Sequence, residues 1–172
     1  MARLPILTAP DPRLKLKAKR VAHVDDTVRR LMDDMLETMY EAPGIGLAAP
    51  QVGVLSAVVT IDISRDGEPR QPLALANPEI LWVSEDDATF EEGCLSVPEH
   101  YAEVVRPRAV RIRYLDRENE IRELEADGLL ATVLQHEMDH LDGVLFIDHI
   151  SSLRRGMILR KLLKSKKSPV GA

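Results

Sequence analysis

The chain has 172 residues, of which 45% are hydrophobic but only 3% aromatic. That is one domain's length, with a core to be built mainly from Leu, Val, Ile, Ala and Met. With 23 Lys and Arg against 28 Asp and Glu, the formal charge is −5, which excludes a wholly basic protein that coats nucleic acid but leaves room for a local basic patch. The single cysteine, Cys94, excludes an intrachain disulfide. It points to a reducing cytoplasm, where the role of the thiol is chemical or one of packing.

No export or membrane segment is recognisable. The apolar stretch after Arg3 is short and broken by Pro5 and Pro10, which is wrong for a signal peptide. Residues 42–61 carry no charge and could reach across a bilayer, but Pro43, Pro50, Gln51 and three glycines exclude a continuous helix there.

The opening, through Asp11-Pro12-Arg13-Leu14, reads as an irregular arm. A helix follows, entered at Asp25 or Asp26, whose residues Val28, Leu31, Met32, Met35, Leu36 and Met39 form one apolar stripe at three- and four-residue steps. Pro43-Gly44 ends it. From Leu55 to about Leu115 the chain has the character of strands, with candidates at residues 55–63, 73–83 and 109–115. In the last of these, Val110, Ile112 and Tyr114 alternate with Arg111 and Arg113, so one face is buried and the other wet. Residues 121–126 continue the alternation as a hairpin partner. A second helix runs from an Asp127 cap to about Leu141, with Gly143 as its stop. Leu129, Leu130, Val133, Leu134, Met138 and Leu141 cover more than one of its sides, which predicts a central helix packed on both. A last helix covers residues 151–164, and its basic character continues to Lys167. With no repeat, linker or composition break, the expectation is an α+β fold and a single domain over residues 1–172.

The central helix carries His136-Glu137-Met138-Asp139-His140. Residues four apart share a helix face, so both imidazoles can reach one ion while Glu137 sits beside the first. Two neutral nitrogen ligands with an adjacent non-ligand carboxylate are what metal-assisted hydrolysis requires. Two capped structural histidines would give the same five letters, but burying them with a glutamate is costly without a partner. A catalytic ion takes a third protein ligand. Position 146, where one protease class has histidine, is Phe146, and no glutamate follows Glu137. Asp148 and His149 are conceivable but lie past the helix stop. The stronger candidate is Cys94, in Glu91-Glu92-Gly93-Cys94-Leu95-Ser96, on a strand edge or loop.

Gly44-Ile45-Gly46-Leu47-Ala48-Ala49-Pro50-Gln51 superficially fits a dinucleotide fingerprint. A helix precedes it and Pro50 blocks the next, so a phosphate site is rejected. It is either a Gly-rich connector or a backbone lying close to an extended substrate, with Gln51 offered to a developing oxyanion.

Taken together, residues 44–51, 92–96 and 135–140 resemble, in order and separation, the three signature motifs of bacterial peptide deformylases. The likeness extends to Asp11-Pro12-Arg13-Leu14, Asn77-Pro78, Leu124-Glu125-Ala126-Asp127-Gly128-Leu129 and His140-Leu141-Asp142-Gly143. It implies mixed, mostly antiparallel β-sheets around a central metal-bearing helix, with one N-terminal and one C-terminal helix. The implied reaction is hydrolysis of the N-formyl group from the initiator methionine of new polypeptides, releasing formate. By the resemblance, Cys94, His136 and His140 ligate the metal, usually Fe2+ in the cell, with Zn2+, Ni2+ or Co2+ able to substitute. Glu137 is the general base and then the acid, and Gln51 and the Leu95 N–H hold the oxyanion. Ile45, Gly46 and Gly93 pair with the substrate backbone as an added strand. Phe90, Leu129, Val133 and His136 line the methionine pocket, with the Thr132 hydroxyl near it.

From Ser151 onward there are seven Lys and Arg and no acidic residue, so the rest carries 16 basic against 28 acidic residues, about −12. In isolation this is an ordinary solvated helix with cations near its C-terminus. The resemblance adds an expected partner, the ribosome near its exit tunnel, touched by Arg154, Arg155, Arg160, Lys161, Lys164, Lys166 and Lys167. No membrane or DNA partner is expected. Two other readings compete: a thiol amidase with Cys94 as nucleophile, which leaves the His136/His140 spacing unexplained, and a non-catalytic, metal-stabilised ribosome-associated binding module. A closed structural site would need a fourth ligand, and nothing in the spacing of His100 supports it.

Overall fold

The computed structural model describes residues 2–167, with side chains as far as Ser165. Helix α1 (Asp26–Glu41) begins where Asp25, in extended conformation, accepts a bond from the Val28 N–H, which satisfies one of the helix's orphan donors. Its Met32, Met35 and Met39 are fully buried. They pack with Leu47, Val58 and Ala76 against one face of a five-stranded antiparallel sheet.

That sheet runs in the order β1 (Gly46–Ala48), β2 (Val58–Ile61), β3 (Leu73–Val83), β6 (Ala109–Leu115), β7 (Ile121–Asp127). Along β2 every residue is buried. Val58 faces the α1 methionines, while Val59 and Ile61 face the opposite core, as the two-residue period of a strand covered on both sides requires. Against that second face lies helix α2 (Gly128–Leu141), whose Ala131, Val133, Leu134 and Leu141 pack with Ala48, Val59, Leu75, Val110 and Ile112. The helix is thus central, as its composition predicts. A separate hairpin, β4 (Asp87–Cys94) with β5 (Val97–Pro107), meets α2 from another direction. Its Val97, Ala102 and Val104 share a third core with Phe146, Ile147 and two residues of helix α3 (Ser152–Lys167), Ile158 and Leu162.

Several sequence expectations are corrected in detail. The strand expected over residues 55–63 is trimmed at both ends: the Leu55 carbonyl accepts from Lys19, and the Asp62 carboxylate turns the chain by accepting from the Ser64 N–H. The hairpin of β4 and β5 is not among the strands expected from the sequence, and β1 stands in what reads as a connector. Asp127 occupies the N-cap position of α2, yet its side chain makes no capping bond. Leu129 does not join the core; it is 42% exposed. The last helix starts one residue later than expected, at Ser152. No described helix is long and apolar enough to cross a membrane.

Candidate metal centre

Strand β4 and helix α2 build the site together. Along β4, Phe90, Glu92 and Cys94 alternate with the more exposed Thr89 and Glu91, and Glu92 reaches a histidine of α2. Across the gap, His136 and His140 stand one helical turn apart, both buried, with ring centroids 5.2 Å apart. The ligand atoms of Cys94, His136 and His140 lie within 4.8 Å of one another, and Cys94 Sγ is 3.3 Å from His140 Nε2. A sulfur and two imidazole nitrogens converging this way could hold a borderline divalent ion. Among the described residues no other cluster of three such side chains occurs, so neither Asp148, His149 nor His100 joins it. Asp148 is engaged by Lys15 and by the Leu145 N–H, and His149 Nε2 sits 2.8 Å from Asp139. Phe146 stacks on the His136 ring instead of offering a ligand.

The ring orientation of His136 is fixed from behind. Its Nδ1 lies 2.9 Å from Glu92 Oε1, which leaves Nε2 for the site. Glu92 is gripped in turn by Arg106, whose Nε and Nη2 donate at 2.7 and 2.9 Å. A third nitrogen of Arg106 donates to Asp139 Oδ2 at 2.9 Å. Burial works against the Glu92 charge, but bonds from His136 and Arg106 outweigh it and lower its pKa. Burial also opposes a charge on His136, yet Glu137, Cys94 and Glu92 push its pKa well above the ordinary value. The anionic surroundings call for positive charge at that point, and a cation on Nε2 would supply it. Burial, with His136, Arg106 and Lys15 adding to it, holds His140 well below the ordinary value, and therefore neutral.

Glu137 is 4% exposed and its Oε1 has no hydrogen-bond partner among the described residues. Burial pushes its carboxyl up to about 7, with His136 pulling down and Glu92 adding to the rise. Gly46 makes room for it, because a Cβ there would collide with Glu137 Oε2. Gln51 is buried, and its Oε1 accepts from the Ala48 N–H at 2.9 Å. That bond aims Nε2 at Ser96 Oγ, 3.0 Å away, and at Cys94 Sγ, 3.5 Å away.

A cleft of about 640 Å3 opens over these groups, lined by Ile45, Gly46, Gly93, Cys94, Leu95 and Glu137 among others. It lies between two edge strands, β1 of the large sheet and β4 of the hairpin. Next to it a cavity of about 90 Å3 is walled by Phe90, Leu129, Thr132, Val133 and His136. Cys94, His136, His140, Glu137, Gln51, Ile45, Gly46, Gly93, Leu95, Phe90, Leu129 and Val133 thus lie at or beside this cleft, whereas Asp148, His149 and His100 do not. Sequence reasoning missed Arg106, the positioning of His136 by Glu92, and the support of Gln51 by Ser96. Only Glu92 had a readable signal, being two residues before Cys94 and so on the same side of an extended strand. Replacing Glu92 by Gln is expected to weaken metal binding by about 10- to 100-fold. Arg106→Met, which strands a buried carboxylate, should cost about 3–5 kcal/mol of stability in urea denaturation.

Comparison with known proteins agrees with this arrangement. The family model for polypeptide deformylase matches residues 3–156. A peptide deformylase of Methylocella silvestris is 60% identical over 95% of this chain and 85% of its own length. That of Phenylobacterium zucineum is 56% identical over 98% of this chain and 99% of its own. Among solved structures, the peptide deformylase of Ehrlichia chaffeensis in complex with actinonin superposes with a TM-score of 0.93 at 38% identity, covering 98% of this chain and 100% of that one. Agreement over nearly the full length, in sequence and in fold alike, means that the chain belongs to the bacterial peptide deformylase family.

Proposed function

We propose that this metal-dependent hydrolase removes the N-formyl group from the initiator methionine of newly made polypeptides and releases formate. The main support is one juxtaposition: a buried carboxylate with an unpartnered oxygen, Glu137, beside a sulfur–imidazole–imidazole triad at the floor of a cleft between two strand edges. Residues Cys94, His136 and His140 would hold the ion. Bound there, a divalent metal supplies Lewis acidity, lowering the pKa of a water and polarising the formyl oxygen.

The remaining steps belong to the chain. Glu137, its pKa near neutrality through burial, accepts a proton from water as hydroxide attacks the formyl carbon. Gln51 Nε2, locked by Ala48 and Ser96, donates to the oxyanion together with the Leu95 N–H; a donor of this kind is worth about 100- to 1,000-fold in rate. Glu137 then passes its proton to the amine nitrogen as the carbon–nitrogen bond breaks. Ile45, Gly46 and Gly93 take the substrate backbone as an added strand. Phe90, Leu129 and Val133 receive the methionine side chain. Residues 1–172 act as a single catalytic domain in the cytoplasm, where formylated chains arise. Replacing Glu137 by Gln should abolish formate release from a formyl-methionyl tripeptide while leaving the metal content unchanged. Loss of metal from that variant, with turnover retained after reloading, would remove Glu137 from its role.

The ion in the cell is proposed to be Fe2+. A thiolate ligand leaves a ferrous site open to oxidants at both iron and sulfur. Activity of protein purified in air is therefore expected to decay, and that of nickel-loaded protein to persist; equal lifetimes would contradict iron.

Docking on the ribosome through α3 is part of the same proposal. Arg154, Arg160, Lys161 and Lys164 are exposed; at helical spacing Arg160 and Lys164 share the face opposite the buried Ile158 and Leu162, while Arg154 and Lys161 flank the buried side. Arg155 is spent on an ion pair with Asp148 at 2.9 Å, and the side chains of Lys166 and Lys167 lie outside the described residues. Since Ile158 and Leu162 belong to the core, removing α3 would damage the fold, so charge reversal is the cleaner test. Changing Arg160, Lys161 and Lys164 to Glu should weaken ribosome binding and its salt dependence, with free-peptide turnover unchanged.

A further inference from the structure

One wall of the small cavity does not match its apolar neighbours. Thr132, on α2, is 3% exposed, and its hydroxyl has no hydrogen-bond partner among the described residues. Threonine inside a helix ordinarily bonds the carbonyl three or four residues earlier. Thr38 of α1 does so, donating to the Asp34 carbonyl at 2.7 Å. Thr132 makes no such bond, although it lines the cavity beside Phe90, Leu129 and Val133. A buried hydroxyl without a partner is destabilising where valine, of nearly the same shape, would not be. Of the other polar side chains around the cavity, Glu92 is already committed to His136 and Arg106, Glu91 is exposed, and His136 and Glu137 serve the metal centre.

We propose that Thr132 determines specificity in this cavity by donating a hydrogen bond to the thioether sulfur of the substrate's methionine. A wall made only of hydrocarbon reads shape and cannot tell sulfur from a methylene of similar size, whereas a single donor can. Rotation about χ1 exchanges the hydroxyl and the methyl of threonine against the cavity, and both rotamers are open to threonine in a helix. Sulfur is a weak acceptor, so the preference is modest. This inference rests on reading the cavity as the methionine pocket.

The test compares kcat/KM for a formyl-methionyl tripeptide and its formyl-norleucyl counterpart, using metal-loaded enzyme. Unaltered protein should prefer methionine by about three- to tenfold, the worth of one modest hydrogen bond. Thr132→Val should bring that ratio close to one, and Thr132→Ser, which keeps the hydroxyl, should retain it. Because each ratio is taken within one preparation, it does not depend on the fraction of active enzyme. Hydrolysis of both peptides with the same ratio in unaltered protein and in Thr132→Val would overturn the inference and leave the deformylase reading intact. Release of formate from neither peptide would overturn both.

Discussion

Glu92 ties a strand to a helix that have no covalent reason to meet. One of its oxygens faces the Nδ1 of His136, while both accept from Arg106, and Cys94 lies two residues further along the same strand. The relative placement of the sulfur and the imidazoles therefore depends on this buried carboxylate, held at 6% exposure. Isolated, such a charge would be expelled or neutralised. Arg106 prevents that, and Asp139 anchors the guanidinium in turn. The arrangement contributes little net stability, since desolvation offsets most of the attraction. What it contributes is a single geometry for the ligand set.

The three layers around α2 serve the same end from the apolar side. The sheet face bearing Val59, Leu75, Val110 and Ile112 presses on Ala131 and Leu134, fixing the turn of helix from which both histidines project. On the far side, Phe146 stacks on His136 and joins the core that holds α3. The imidazole is thus bounded by an aromatic ring and a carboxylate, and neither can shift without disturbing a core or a buried ion pair.

How much of this can be read from the amino-acid string depends on the range of the interactions. The His136/His140 pair is legible because a helix fixes residues four apart. So are the methionine stripe of α1 and the alternation of β6, since both are periodic and local. The limits of β2 are not legible, because Lys19 and the Asp62 turn cut it short. Strand β1 exists only through its pairing with β2, and its glycine looks like a loop signal until Glu137 is seen lying against it. The hairpin hides because Thr89, Glu91 and Glu103 face outward, which dilutes any apolar pattern. Arg106 is the hardest case. In a strand, arginine reads as a wet-face residue, and only the meeting of Glu92 and Asp139 makes it an interior one. The resemblance to a known family places Cys94 with the histidines before any coordinate does, since nothing local joins residue 94 to residue 136.

The two edge strands flanking the cleft carry a consequence for timing. An edge pairs with main-chain N–H and C=O groups that are still unclaimed, so a guest taken up by the strand addition proposed above has to arrive as an extended, unstructured stretch. Once a client's first residues have entered a helix or sheet of their own, those groups are taken and the end no longer fits. Processing and client folding then compete for the same amides, and an enzyme built this way has to reach its clients early, while their leading ends are still free.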